Sequence, residues 1–409
     1  MGRLLTAICT GVAVALAQAA GAAEFDLSVD LRAVSTDATP TRLAGGLGKL
    51  RYDEQHDGLR LGYLRFGYRA DLTETMRLTA AGVAYGDHDV NPVDLTEIFA
   101  EWRPIPAGSW RSRLKAGAFY PEISLENRMR GWRSPYTLSF SAINTWVGEE
   151  LRTIGAEYSL DWLGRSNGRS FDVSFNAALY GWNDTAGTVL ASRGWGLHDR
   201  QSTLFGRFAN HGQPLPPRTL FYDEMDQRAG YYAGVTASYR ELLEVRVLHY
   251  DNRANLAAEA PRIDDSAWLT RFESFGLRWT PIDSLTAIAQ WLHGRTFVGY
   301  DLPTNAWSFD AEFLLASWQQ GAMRYSTRYD RFASQQTASN FAQYVNGIYY
   351  GDRGHAWTLA ASRQFNEHWS TTLEGIDVRS SVAQRALIWA TGRTQATERQ
   401  WQLAVRYER

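Results

Sequence analysis

The sequence predicts an all-β protein, a transmembrane antiparallel β-barrel of about sixteen strands. Three observations carry that expectation. Segments with two-residue alternation recur from Phe25 to the end of the 409-residue chain. The connections between them alternate in length, short then long. The chain also holds 16 Trp, 20 Tyr and 18 Phe at a mean hydropathy of −0.36. A soluble domain could bury such aromatics, but the combination also suits a barrel that keeps them at two interfaces and hides its alternating strands from any hydropathy average. Composition leaves both open, and the first two observations decide.

Taken in order, the chain opens MGRLLTAICTGVAVALAQAAGAAEF. Arg3, an apolar run from Leu4 to Ala17 and the small residues Ala20-Gly21-Ala22-Ala23 form a secretory signal peptide over residues 1–23, with cleavage before Glu24. A retained membrane helix is the weaker reading, because the run is short. Removing it takes the formal charge from −2 to −3 through loss of Arg3. It also takes Cys9, the one cysteine, so disulfides cannot hold the mature chain together. The near-neutral balance gives no argument for nucleic acid.

Residues 24–409 read as one barrel, with strands expected over 25–34, 57–70, 76–86, 94–104, 109–120, 146–161, 169–182, 228–240, 243–251, 266–279, 285–296, 306–318, 321–332, 354–365, 368–378 and 397–409. "SFDVSFNAALYGW" shows the pattern, with Phe171, Val173, Phe175, Ala177 and Leu179 on one face and Asp172, Ser174 and Asn176 on the other. "NAWSFDAEFLLASW" repeats it, with Trp307, Phe309, Ala311, Phe313 and Leu315 against Ser308, Asp310 and Glu312. Connections after even-numbered strands are short, such as "DLTET", "IPAG" and "TPIDS". Most of those after odd-numbered strands are long: 35–56, 121–145, 183–227, 252–265, 333–353 and 379–396. A soluble sandwich has no reason to gather its long loops at one end, whereas an outer-membrane barrel has short periplasmic turns and long external loops. Closure also removes the sheet edges that hydrocarbon would leave unpaired.

The fifth strand, "SWRSRLKAGAFY", carries Arg111, Arg113 and Lys115 at alternate positions. Facing lipid, each would cost up to about 2–4 kcal/mol near the midplane. They are therefore expected to face the lumen, and Trp110, Leu114, Ala116, Ala118 and Tyr120 the lipid. In a regular hairpin Glu101 lies opposite Arg113 and Arg103 near Arg111. Glu97 and Glu101 (−2) cannot cancel Arg103, Arg111, Arg113 and Lys115 (+4), which leaves +2 on the hairpin. Pairing with neighbours competes with the reading of a pore-lining cationic strip. The same parity places Arg65, Arg69, Arg246, Arg278, Arg324 and Arg328 inside, together with Glu157, Asp172, Glu244, Asp310 and Glu312. In 121–145, Glu122 and Glu126 accompany Arg128, Arg130 and Arg133. Placed in the lumen, they would face the strip and set up a transverse field. The alternative is a loop that only covers the mouth.

Two stretches, "FYPEISLENRMRGWRSPYTLSFSAINTWVGEELRTIGAEYSLDW" (119–162) and "RGWGLHDRQSTLFGRF" (193–208), resemble outer-membrane porins loosely related to the phosphate-selective porin O and P group. The resemblance implies a sixteen-stranded trimeric channel in the bacterial outer membrane, with the loop after the fifth strand, 121–145, turned inward as a constriction. Two features depart from that group. The chain ends "WQLAVRYER", on Arg409 rather than an aromatic residue, and Lys49 and Lys115 alone cannot build a lysine collar.

The remaining motifs add little. Loop 183–227 carries Arg193, His198, Asp199 and Arg200 and is expected to be external, as a lid, a protomer contact or an exposed surface. The carboxylates of "GDHDVN" (86–91) and "YDEMDQ" (222–227) lack calcium-loop spacing and read as solvated loop charge. The eight histidines show no metal spacing, and there is no G-x-S-x-G elbow. No catalytic residue, metal or cofactor is assigned. The expected function is passive diffusion of small hydrophilic solutes or ions, favouring anions, with outer-membrane lipid and lipopolysaccharide as surroundings. A closed barrel used for adhesion or attachment is the alternative. A hydrolase on the outer wall comes third, since His249 and His293 lie in strands without a partner motif.

Overall fold

A computed structural model describes residues 23–41, 45–87, 93–106, 108–209, 218–258, 266–299, 305–339, 350–388 and 392–409. The signal peptide expected over 1–23 lies outside the described residues except for Ala23, and "GDHDVN" does so from residue 88 onward.

The strands are β1 (Ala23–Thr36), β2 (Gly58–Asp71), β3 (Met76–Ala84), β4 (Val93–Trp102), β5 (Trp110–Phe119), β6 (Thr153–Trp162), β7 (Phe171–Gly181), β8 (Arg207–Ala209), β9 (Arg218–Leu220), β10 (Gly230–Tyr239), β11 (Leu243–Asp251), β12 (Trp268–Ile282), β13 (Leu285–Val298), β14 (Asn305–Gln320), β15 (Met323–Ser339), β16 (Gly351–Gln364), β17 (Trp369–Val382) and β18 (Gln395–Glu408). Sixteen of them close a ring in chain order, while β8 and β9 pair only with each other. Every barrel pair is antiparallel, and β1 meets β18 from Ser28 against Glu408 to Thr36 against Gln400. The all-β barrel with short turns at one end is as expected. The turn between β14 and β15 is Gly321-Ala322, where Gly321 takes φ +57, a left-handed conformation that a side chain would strain.

The outer wall follows from alternation. Leu179 and Leu314 are 63% and 62% exposed, and they sit between two aromatic levels. Towards the short turns lie Trp110, Trp279, Trp318, Tyr325, Trp369 and Tyr407; further up lie Trp291, Tyr329, Trp357 and Trp401. Their rings bridge apolar and polar surroundings, which is why barrels place them at the two membrane faces.

Two differences from the expected elements have clear causes. The sixth strand was expected from residue 146, but Ala142–Glu150 is a helix and β6 starts at Thr153. Ser141 accepts the Asn144 N–H at 3.3 Å, a cap that starts the helix, and all nine helical residues are buried. The second difference concerns β14, where parity assigned Asp310 and Glu312 to the lumen. Both face outward, with side chains 51% and 48% exposed, while Trp307, Phe309, Ala311, Phe313 and Leu315 point inward at 0–6%. The rule that apolar residues face lipid fails there because the interior beside β14 is packed protein rather than water.

Candidate functional site

Two segments fold into the barrel. The first, 120–151, leaves β5 and circles the inner wall. Arg246 donates to the Glu122 carbonyl at 3.0 Å, Gln290 to that of Ile123 at 3.3 Å and Arg65 to that of Gly131 at 2.7 Å. On the far wall Glu374 accepts the Leu138 and Ser139 N–H groups at 2.6 and 3.1 Å, and Asp330 accepts that of Ala142 at 3.0 Å. Arg328 joins these parts. Fully buried, it contacts Glu126 at 2.7 Å and Asp330 at 2.7 Å, and donates to the carbonyls of Ser139 and Phe140 at 2.7 and 2.9 Å. Wall carboxylates thus satisfy backbone N–H groups that a buried loop would otherwise leave orphaned. Trp146 then packs against Phe272, Phe309 and Trp195, with ring centroids 5.3, 5.2 and 5.9 Å apart.

The second segment, 183–206, also lies inside the barrel, although loop 183–227 was expected to be external. Its helix Thr188–Arg193 is wholly buried. Glu150 clamps the two segments together, accepting N–H groups of Gly187, Val189 and Leu190 at 3.2, 2.8 and 3.1 Å and the Trp146 Nε1–H at 2.6 Å. Burial pushes its carboxyl up to about 7. Asp352 on β16 accepts Lys49 Nζ at 2.6 Å and the Trp195 N–H at 2.8 Å. Asp199 meets Arg32 at 2.5 Å and Arg51 at 3.0 Å. Burial opposes the charge of Asp199, but the two guanidiniums outweigh it and hold the carboxyl well below its ordinary range. Arg51 and Arg200 each reach Asp87 at 3.0 Å, and Arg200 stacks on Tyr85, 3.7 Å from the ring centroid.

Arg111, Arg113 and Lys115 on β5 face the lumen, each of them paired. Tyr120, expected towards lipid, instead turns inward as the chain leaves the wall and stacks on Trp132, with ring centroids 4.7 Å apart. Arg111 contacts Asp161 at 2.8 Å, Arg113 contacts Glu122 at 2.6 Å, and Lys115 lies 3.4 and 3.9 Å from Glu122 and Glu157. Glu101 is opposite Lys115 rather than Arg113, two residues from the expected register, and it also holds Arg103 at 2.9 Å. Arg103, Arg111, Arg113 and Lys115 therefore meet Glu101, Glu122, Glu157 and Asp161, four charges against four. The sequence estimate of +2 missed β6, which brings Glu157 and Asp161 into register with Lys115 and Arg111. Glu97 instead accepts the Tyr120 N–H at 3.2 Å, pinning the point where the chain leaves the wall.

The other candidates divide by height. Glu122 faces the strip directly and Glu126 belongs to the Arg328 cluster. Arg128, Arg130 and Arg133 reach down to the short-turn rim, contacting Glu244, Glu24 and Glu408 respectively. Arg69 lies 3.7 Å from Glu24, and Arg324 donates to Ser317 Oγ at 3.2 Å. The short-turn end is thus a charged vestibule in which Arg111 and Arg130 keep side chains 53% and 45% exposed. Above it the interior is tightly packed. Sequence reasoning missed Glu150, Asp352 and Glu374, whose partners named above, Trp146 excepted, lie between 37 and 303 positions away.

Asp184, Glu224 and Asp226 lie with carboxylate oxygens within 4.8 Å of one another, two of them from "YDEMDQ". Their oxygens accept backbone N–H groups of Met225, Trp182 and Asn255. Burial, with Glu224 and Asp226 close by, raises Asp184 to about 7.

No protein-family model and no curated protein matches the sequence. Solved structures do match the fold. The outer membrane channel DcaP of Acinetobacter baumannii aligns with a TM-score of 0.53 at 10% identity, covering 95% of this chain and 97% of that one. A trimer form of OmpT, an outer membrane protein of Vibrio cholerae, gives 0.50 at 10% identity, covering 95% and 100%. Salmonella typhi OmpF in complex with daunomycin gives 0.50 at 11% identity, covering 95% and 97%. The chain has a porin-like barrel fold.

Proposed function

We propose that the protein is an outer-membrane porin, a passive channel for small hydrophilic solutes and ions whose resting passage is narrowed by the inward segments 120–151 and 183–206. The carrying observation is the closed barrel with a charged, water-exposed vestibule beneath those segments. A structural plug alone would need neither the exposed Arg111 and Arg130 nor an ion-paired wall at the vestibule.

The balanced charge at Arg111, Arg113 and Lys115 argues for weak ion preference in place of anion selectivity. Phosphate selectivity drops out, because Lys49 and Lys115 are both engaged by carboxylates. A homotrimer belongs to the same reading. Among the described strand residues, outward positions on β1–β7 and β10 carry no charge, which suits subunit contact or lipid, and one matching structure is a trimer form.

Planar-bilayer recording tests the proposal. Stepwise conductance in KCl supports it, and a folded protein that stays silent at all voltages returns the reading to an adhesive or structural barrel. One observation favours an outer-wall hydrolase as a second reading. His293 Nδ1 lies 2.6 Å from Asp310 and His249 Nδ1 lies 3.1 Å from Glu273, all facing outward. Ester or peptide hydrolysis lost in His293→Ala would support it.

A further inference from the structure

The outer wall of β15–β18 is layered. Leu359, Leu373 and Leu403 form its apolar part, and Tyr329, Trp357 and Trp401 the aromatic level above. In the next row Arg331 stands opposite His355 and His355 opposite Arg379. One step higher, Arg353 stands opposite Ala333 and Ser381. Tyr329, Arg331, Arg353, His355, Arg379 and Ser381 line a shallow concavity of about 580 Å³ on the outward side of the wall, and the leucines lie below it. Arg331 and Arg379 keep side chains 71% and 63% exposed, with Glu312 and Asp377 at 3.3 and 3.5 Å. Arg353 makes no ion pair among the described residues. Three arginines thus stand immediately above an aromatic belt, where the wall leaves hydrocarbon and meets headgroups.

We propose that this concavity binds the phosphorylated sugar headgroup of an outer-leaflet glycolipid. Arg331, Arg353 and Arg379 bind phosphate, and acyl chains lie on Leu359, Leu373 and Leu403. Guanidinium forks suit phosphate oxygens, and exposed pairs with Glu312 and Asp377 are weak enough to exchange for a dianion. The chemistry requires both phosphate and acyl chains, because the cations sit on the rim of an apolar wall rather than in an enclosed cavity. The inference rests on the outer-membrane placement proposed above and not on conduction, so a silent barrel leaves it standing.

The test uses purified full-length protein in detergent with three probes: a bisphosphorylated acylated glucosamine disaccharide, its dephosphorylated counterpart and inorganic pyrophosphate. Native mass spectrometry or a fluorescent titration should show the first binding at least about tenfold more tightly than the second, and Arg331→Gln/Arg353→Gln/Arg379→Gln should remove that preference. Equal binding of the two lipids, or an unaffected triple variant, overturns the proposal. Pyrophosphate binding as tightly as the lipid assigns the site to a free anion and overturns the lipid assignment. Should the triple variant not fold, Arg353→Gln alone should weaken the phosphorylated lipid and leave its counterpart unchanged.

Discussion

Arg328 shows what a single side chain contributes to the interior. With Glu126 and Asp330 it forms a buried triad that also holds two carbonyls of the inward segment. Arg328→Ala would leave two carboxylates buried without their cation, a change that typically costs about 3–5 kcal/mol. The barrel ladder stays paired, so the loss should appear locally. Trypsin cleavage after Arg128, Arg130 and Arg133 should accelerate at least tenfold while the heat-modifiable mobility of the barrel is kept (about 1.4 kcal/mol of local opening per factor of ten). Unchanged cleavage would remove Arg328 from its role as anchor. The inward direction of Arg328 was legible from parity alone, but its partner Glu126 was not, because nothing local connects positions 202 residues apart. Parity misplaced Asp310 and Glu312, where it assumed a wet lumen.

Among elements, the helix Ala142–Glu150 and the second segment form one packed unit around Glu150 and Trp146. Trp146→Ala should destabilise that unit by about 3–5 kcal/mol, read as a rise in open-state conductance, because the indole fills the space between Phe272, Phe309 and Trp195. The unit should also respond to pH. Glu150 and Asp184 have folded carboxyl values raised to about 7, above the ordinary carboxylate range. Between about pH 4 and 7 the folded form therefore holds more protons than the opened one, so stability falls as pH rises through that window. Conductance should be lower at pH 5 than at pH 8. Glu150→Gln/Asp184→Asn, which mimics the protonated pair, should flatten the difference, and a wild-type profile that is flat or inverted refutes the assignment. The helix was hidden in the sequence because "INTWVGEELRT" also reads as the start of a strand, and its capping Ser141 is one serine in a serine-rich stretch.

For the whole molecule, the ring itself was legible, since alternation recurs in sixteen strands and most of the connections keep the short-then-long order, so local errors are tolerated. The charge of the passage was not, because neutrality at β5 depends on which residues of β6 fall in register. Replacing Arg111, Arg113 and Lys115 with Gln removes three positive charges from a balanced set. Reversal potential in a KCl gradient should move from near zero in the wild type to clear cation preference in the variant. No movement would take this wall out of the conduction path.

The seam between β1 and β18 has its own consequence. Leu27 and Arg409 exchange both backbone hydrogen bonds at 2.9 Å, joining residues 382 positions apart. Pairing so distant in the chain is slow to form, and until it forms two raw strand margins face whatever surrounds the nascent sheet. The cylinder can shut only after its last strand has arrived. Loss of that strand would therefore create an adhesive rim, not a slightly smaller pore, and chains cut there should assemble margin to margin with one another.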